Sequence, residues 1–187
     1  MRKTLILLTL AFALTSITLL AAQMGGREPL NEKEIDQLRE TAQEPEKRLK
    51  LMVDFARARL ATIDQMRGDP RFAADRGPRV HDLLEDFTKL VDEIGDNLDD
   101  YAGRQADLRK ALKFVIQGSS EFQLKLRTLK EQGAGAGDAA KNETGDYTFA
   151  LQNAIEAVNT NLDDARKLLA EQEAAFKEAK EKAKKKK

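Results

Sequence analysis

The sequence predicts an all-α protein, an elongated antiparallel bundle of three or four long helices with coiled-coil-like packing. Apolar residues recur at alternating spacings of three and four along most of the chain, as expected for helices with one buried face. No segment alternates with the period of two that is typical of strands, and Asn-Gly turn pairs are absent. Together these patterns favour helices over any sheet-based fold.

The first 22 residues have the organisation of a secretory leader. Arg2 and Lys3 precede an apolar run from Leu5 to Leu20, and two alanines ending at Ala22 close the segment. We therefore expect an exported protein, periplasmic or secreted, whose leader is cleaved near Ala22. Leu20 stands where a cleavage site prefers a small residue, so an uncleaved N-terminal anchor is the alternative.

Composition excludes several functional classes. The chain has no cysteine, no tryptophan and a single histidine, which excludes disulfide frameworks, thiolate nucleophiles, iron–sulfur clusters and cysteine-based zinc sites. It carries 32 basic and 32 acidic residues, so no net field selects nucleic acid. No nucleophile stands with a base in a catalytic pattern, and we expect neither enzymatic activity nor a resident cofactor.

Beyond the leader, the chain divides into three parts. Residues 23–30 form a flexible lead-in, residues 31–176 the helical bundle, and residues 177–187 a tail with seven lysines and two glutamates. Without the leader and the tail, 23 basic and 30 acidic residues remain, a net charge of −7. The mature protein is therefore expected to be an acidic body with a cationic end.

Most helices have a recognisable beginning. Asn31 and Glu34 have the spacing of a capping box, so the first helix is expected to begin there. Pro45 opens the next helix, because proline is favoured in a first turn. A low-complexity connector, Gly133 to Gly145, precedes the last helix, for which Asp146 is the expected N-cap.

The stretch from Pro78 to Gln132 fits two architectures. Its apolar stripe keeps one register across Gly103, and Asp100 and Arg104 are spaced as an i,i+4 pair. Both features favour a single helix of about 55 residues. Alternatively, Gly103 ends one helix and Asp107 caps an antiparallel successor. The unbroken register inclines us to the continuous helix.

An acidic run in this stretch is the densest carboxylate feature of the sequence. It contains Asp82, Asp86, Asp92, Asp96 and Asp100, which form three i,i+4 pairs. Paired carboxylates on one helix face can offer oxygen ligands to Ca²⁺ or Mg²⁺, so these five residues are candidate metal ligands. No calcium-loop spacing accompanies them, and a solvated acidic face is the alternative.

His81 and Met66 give a weaker ligand hypothesis. A short connection between their helices would bring together the residue types of an axial haem pair. Such a pocket needs large aromatic residues, and this end of the molecule offers only Phe72. The alternative is a solvent-facing histidine and a core methionine.

Two further features point to contact surfaces. Phe114 and Leu124 lie off the main stripe of their helix, so either the helix carrying Leu38 or a partner is expected to cover them. The tail ends in four lysines, Lys184, Lys185, Lys186 and Lys187. Such a tail attracts anionic lipid, wall polymer or an acidic protein weakly. It lacks arginine and interleaved aromatic residues, so nucleic acid is not an expected partner.

The sequence therefore predicts an exported, non-enzymatic helical bundle that acts by protein–protein or surface contact in the bacterial cell envelope. Its expected partner is another protein or a second copy of itself. Once the leader is cleaved, we do not expect an integral membrane protein. The alternative is a helical bundle that binds a small ligand or a divalent metal.

Overall fold

The described part of the chain is all-helical, as predicted. The computed structural model describes residues 27–134 and 138–185, with side chains described for 27–133 and 145–185. Its helices are α1 (Glu32–Glu40), α2 (Pro45–Gly68), α3 (Arg76–Gly103), α4 (Arg109–Ala134) and α5 (Asp138–Lys185), with a 3-10 turn at Pro70–Phe72. The predicted leader, residues 1–22, lies outside the described residues, as do Lys186 and Lys187.

The helices pack against one another around one apolar core. Each of α2 and α5 packs against both α3 and α4, and α1 lies against α2. At the centre of the core, the rings of Phe87 in α3 and Phe122 in α4 meet edge to face, with centroids 5.2 Å apart. This arrangement is one that aromatic quadrupoles favour. The apolar stripes predicted for α2, α3 and α4 supply most of the buried residues.

Ion pairs along α2 and α4 show that these two helices run in the same direction. Arg57 of α2 pairs with Glu121 of α4 at 3.0 Å. One to two turns further along both helices, Asp64 pairs with Lys125 at 2.7 Å. The expected antiparallel arrangement therefore does not hold for this packed pair.

The packing of α3 on α5 is also parallel. The backbone of Gly77 lies against Asp146, so closely that an added Cβ would overlap the aspartate side chain. Further along both helices, Asn161 Nδ2 donates to the Val91 carbonyl at 3.3 Å. Two of the packed pairs among the described helices thus run parallel, a feature that a one-dimensional apolar pattern does not encode.

A turn separates α3 from α4, so the single continuous helix expected from the unbroken register is wrong. Gly103 is the last residue of α3, but Gln105 is the residue with a left-handed backbone, at φ 59°. Ala106 N–H donates to the Tyr101 carbonyl at 3.1 Å, and Gln105 N–H donates to the Ala102 carbonyl at 2.9 Å. These two bonds define a Schellman motif, which satisfies carbonyls at the end of α3.

Gln172 of α5 closes the same turn. Its Nε2 donates to the Ala106 carbonyl at 3.0 Å, and its Oε1 accepts from Leu108 N–H at 2.9 Å. Asp107 accepts from the Arg109 backbone N–H at 3.2 Å and pairs with its guanidinium at 2.6 Å. Hydrogen bonds from the Arg109 side chain, then from its backbone, lower the pKa of Asp107 to about 2.

The last helix begins at Asp138, so the predicted start at Asp146 is also wrong. Residues 138–144 include two alanines, a lysine and a glutamate, which favour helix. Gly145 lies inside the helix, where an added Cβ would meet nothing within 4 Å. At 48 residues, α5 is about 70 Å long. No helix in the described ranges is sufficiently long and apolar to cross a membrane.

Candidate contact surfaces

The end of α5 projects from the body as an exposed helix. Leu168 and Leu169 are still half-buried against the core. Every residue from Ala174 to Lys185 is exposed; we call these twelve residues the C-terminal arm. At the base of the arm, the Arg109 guanidinium lies 3.7 Å from the centre of the Phe176 ring, a cation–π contact. The arm extends about 18 Å along the helix axis.

The C-terminal arm is cationic. Its charged residues are Lys177, Lys180, Lys182, Lys184 and Lys185, with Glu178 and Glu181. The ion pair that it contains joins Lys182 to Glu178 at 3.7 Å, with side chains 76% and 71% exposed. Pairs this exposed contribute little free energy. The arm therefore presents a net charge of +3 to solvent.

A groove between α3 and α5 has the opposite charge. Its charged lining residues are Asp92, Asp96, Asp99, Glu156, Asp164, Glu171 and Lys167; we call this region the acidic groove. It consists of two cavities of about 610 and 270 Å³ that share four lining residues. Six carboxylates against one amine give the groove a net charge of −5.

The groove carboxylates differ from their neighbours on the same helices. Asp100, a candidate metal ligand from the sequence, pairs with Arg104 at 2.7 Å, and Asp163 pairs with Arg166 at 3.9 Å. Within the described residues, none of the six carboxylates in the groove has an ion-pair partner. Burial raises the pKa of Asp92, and the carboxylate of Asp96 raises it further.

The floor of the groove is a buried polar contact among three helices. Asn161 of α5 is 6% exposed, and its Nδ2 donates to the Val91 carbonyl of α3. Its Oδ1 accepts from the Ser119 hydroxyl of α4 at 3.3 Å. An added Cβ on Gly95 would come within 3.4 Å of Asn161 Nδ2. We infer that this contact fixes the register of α5, as buried asparagines do in coiled coils.

The other half of the predicted acidic run is already ion-paired. Arg27 contacts Asp82 at 2.7 Å and Asp86 at 3.0 Å, and Lys89 donates to the Arg27 carbonyl at 2.8 Å. Asp86 has a 5% exposed side chain, and burial raises its pKa although Arg27 and Arg59 oppose the shift. Across residues 27–133 and 145–185, no three His, Asp or Glu side chains are grouped to hold a metal ion.

Arg59 of α2 holds the segment that precedes α1. Its guanidinium contacts both oxygens of Glu34, at 2.8 and 2.6 Å, and donates to the Pro29 carbonyl at 2.6 Å. Glu34 also completes the predicted capping box with Asn31, which is confirmed. Burial raises the pKa of Glu34, but its bonds to Arg59 and Asn31 lower it below the usual value.

Of these interactions, the sequence predicted the capping box and missed the arginine contacts. Asn31 and Glu34 are three residues apart, whereas Arg59 is 25 positions from Glu34 and Asp86 is 59 positions from Arg27. No local pattern indicates pairing over such separations. The described part of the predicted lead-in, residues 27–30, is consequently held against α2 and α3 by these contacts.

His81 and Met66 occupy different environments. The imidazole Nδ1 of His81 lies 3.8 Å from Asp82 and its Nε2 lies 3.9 Å from Glu85, and the side chain is 36% exposed. Met66 is buried. Both ring nitrogens of His81 thus face carboxylates of its own helix, which does not favour an axial pair with Met66.

Phe114 and Leu124 are 40% and 67% exposed. The helix that carries Leu38 packs against α2 and leaves both of them uncovered, so the expectation that it covers them is wrong. Their role as a partner surface stays a prediction. Phe149 was not predicted as a surface residue, and it is 84% exposed. Its position off the apolar stripe of α5 is the feature from which this exposure could have been predicted.

A further cavity, of about 520 Å³, lies between α4 and α5 near the connection that joins them. Leu151 and Ile155 give it an apolar wall, and Lys130, Thr148 and Gln152 provide polar groups around it. An apolar hollow with a few polar groups is the usual form of a small-molecule site.

Comparisons with known proteins give no match to a family model, a curated protein or a solved structure. Function is therefore inferred from the residues of this chain. Among the described surfaces, the C-terminal arm and the acidic groove combine exposure with strong, largely unpaired charge.

Proposed function

We propose that this chain is an exported, non-enzymatic contact protein of the bacterial cell envelope and that the C-terminal arm is its contacting element. The observation that carries the proposal is the arm itself, twelve exposed helical residues with five lysines. Burying or pairing these charges is not required for folding, because the arm projects beyond the core. A solvent-exposed cationic element on an acidic body is suited to binding an anionic partner.

The body serves as a scaffold for the arm in this proposal. The apolar spacings of three and four, which continue through α5, support an elongated bundle of four long helices with coiled-coil-like packing. A bundle of this kind holds the base of the arm rigidly, since α5 is one helix from Asp138 to Lys185. Export rests on the leader-like residues 1–22.

The chemistry of the arm favours an anionic surface or protein over nucleic acid. Its basic residues are lysines, which act as flexible point charges. Beyond Phe176 the arm has no ring on which a base could stack. Attraction of this kind weakens as salt shortens the Debye length from about 10 Å at 0.1 M to about 3 Å at 1 M.

Vesicle binding tests the proposal. We expect the chain from Gln23 onward to sediment with vesicles containing anionic lipid, but not with zwitterionic vesicles, at about 0.1 M salt, and to dissociate at about 1 M. A variant with glutamine at all five lysines of the arm should not bind. The matched control replaces five exposed lysines of the body, Lys33, Lys47, Lys50, Lys110 and Lys113, and should bind as the natural chain does. Equal binding by the arm variant would refute the proposal.

The cavity beside Leu151 and Ile155 favours a second candidate function, the binding of a small apolar ligand. Ligand binding to the folded state raises its melting temperature. A fatty-acid or detergent probe should therefore stabilise the natural chain more than an Ile155→Trp variant, in which the cavity is filled.

If the chain instead binds a divalent metal, Ca²⁺ should stabilise the natural chain more than an Asp92→Asn/Asp96→Asn variant.

A further inference from the structure

The C-terminal arm and the acidic groove lie on the same face of α5. The groove residues of α5 on this face are Ala157, Asn161, Asp164, Leu168 and Glu171, at alternating spacings of four and three. The same spacing continues along the arm as Ala175, Glu178, Lys182 and Lys185. One helix face is therefore acidic in its groove half and largely basic in its arm half, which makes it complementary to an antiparallel copy of itself.

The arm is similar in length to the α3 wall of the groove and shorter than its α5 wall. The groove extends along α3 from Thr88 to Asp99 and along α5 from Asn153 to Glu171, about 17 Å and about 27 Å of helix, and the arm is about 18 Å long. Gly95 and Ala157 line the groove, and Ala175 and Ala179 lie on the arm. Small residues on both surfaces permit two helices to approach closely.

The arm cannot occupy the groove of its own chain. α5 forms one wall of the groove and continues without a break into the arm, so a helix would have to fold back on itself. The six groove carboxylates and the five arm lysines are therefore available to another molecule. A second copy supplies both carboxylates in its groove and lysines in its arm.

We propose that the arm of one copy docks in the acidic groove of a second copy, and that the exchange is reciprocal. Glu173 lies midway between Asp164 and Lys182. An antiparallel pairing of the two α5 helices about this point places each Lys182 beside the Asp164 of the other copy, twice in one dimer. Such an interface is isologous and closed. The inference deepens the proposed function by naming a second copy as a partner of the arm, for which anionic vesicles then compete, and it rests on the arm being the contacting element.

A charge-reversal mixing experiment tests this pairing. Asp164 and Lys182 are both exposed, so their substitution is not expected to disturb folding. We expect the natural chain to be a dimer by sedimentation equilibrium, and both Asp164→Lys and Lys182→Glu to raise the dimer dissociation constant about tenfold or more. In a 1:1 mixture the reversed groove of one variant meets the reversed arm of the other. The mixture should therefore dimerise at protein concentrations at which neither variant dimerises alone.

Asp163→Lys and Lys180→Glu are the matched controls, since both residues are exposed and lie on other faces of α5. Each control should stay dimeric. A monomeric natural chain, or a mixture that fails to dimerise, would overturn the inference. If arm-dependent vesicle binding persists in that case, the contact function stands without self-pairing. If dimers form and vesicle binding does not depend on the arm, the pairing stands and the arm's role in binding anionic surfaces fails.

Discussion

The two ends of the described chain carry similar numbers of charges and use them in opposite ways. At the N-terminal end, Arg27 pairs with two carboxylates of α3, and Glu34 is held by Arg59 with side chains 11% and 14% exposed. At the C-terminal end, every residue of the arm is exposed, and the ion pair between Lys182 and Glu178 lies in solvent. The first set of charges attaches a segment to the body, and the second is left exposed to solvent.

The contrast shows that the contribution of an ion pair to stability depends on its burial and on its hydrogen-bond geometry. The pair between Arg59 and Glu34 has two parallel hydrogen bonds and little solvent around it. Exposed pairs are screened by water and salt and lose side-chain entropy when they form. Substitutions at the two ends should therefore differ sharply in their effect on stability.

The largest expected effect is at Glu34. Glu34→Gln removes the carboxylate that pairs with the Arg59 guanidinium, and we expect it to lower the free energy of unfolding by about 2 to 3 kcal/mol at pH 7. Urea denaturation measures the loss. Glu32→Gln, an exposed neighbour on the same helix, is the control and should have little effect. A change below about 0.5 kcal/mol at Glu34 would mean that this pair does not attach α1 to the body.

The carboxylates of Glu34 and Asp86 predict opposite dependences of the free energy of unfolding on pH. The pKa of Glu34 is lowered in the folded state, so its stabilisation is present above its unfolded pKa and is lost as the pH falls through the folded pKa. The pKa of Asp86 is raised, so its contribution is present below its unfolded pKa and is lost as the pH rises through the folded pKa. Between pH 3 and pH 7, Asp86→Asn should become progressively more favourable relative to the natural chain, and Glu34→Gln progressively less favourable.

Urea denaturation at several pH values measures how the free energy of unfolding of each variant, relative to the natural chain, changes with pH. The comparison would fail if the two variants changed with pH in the same direction.

A smaller effect is expected at the turn between α3 and α4. Gln105 has a left-handed backbone, which costs a non-glycine residue about 1 kcal/mol. Gln105→Gly should therefore stabilise the protein by up to about 1 kcal/mol, seen as a melting temperature higher by about 2 to 4 °C. Gly103→Ala makes the opposite change two residues earlier; because Gly103 is helical and an added Cβ meets nothing within 4 Å, this variant should also be stabilised, by about 0.5 to 1 kcal/mol. If α3 and α4 formed one helix, Gln105→Gly would instead destabilise it.

The smallest effect is expected in the arm. Lys182→Glu replaces an exposed residue whose ion pair with Glu178 is weak, so the free energy of unfolding should change by less than about 0.5 kcal/mol. Chemical denaturation under conditions that keep the chain monomeric measures this difference. A loss above about 1 kcal/mol would show that the arm is part of the folded core and not a free contact element.

The elements of the fold that depend on local pattern were predictable. The capping box at Asn31 and Glu34 and the buried stripe of α2 follow from residues close in sequence. The turn after Gly103 was one of two alternatives that the sequence left open, because the apolar stripe returns in phase on its far side. The side-chain hydrogen bonds that close this turn come from Gln172, which is 64 positions beyond Leu108.

The candidate surfaces were predictable in part. The cationic tail and the carboxylates Asp92 and Asp96 are visible in the sequence, but their separation from Asp82 and Asp86 is not. Arg27 pairs with Asp82 and Asp86, whereas Asp92 and Asp96 line the groove formed with α5 and have no ion-pair partner among the described residues. That division depends on which helices become neighbours, and the parallel packing of α3 on α5 has no local signal.

If the exposed lysines of the C-terminal arm hold two copies together, the dimer should dissociate when salt screens their charges. Sedimentation equilibrium of the chain from Gln23 onward, at about 0.1 M and about 1 M salt, measures this. We expect the mass of two chains at the lower salt and of one chain at the higher. One chain at both salt concentrations, or two chains in a variant with glutamine at the five arm lysines, would contradict this expectation.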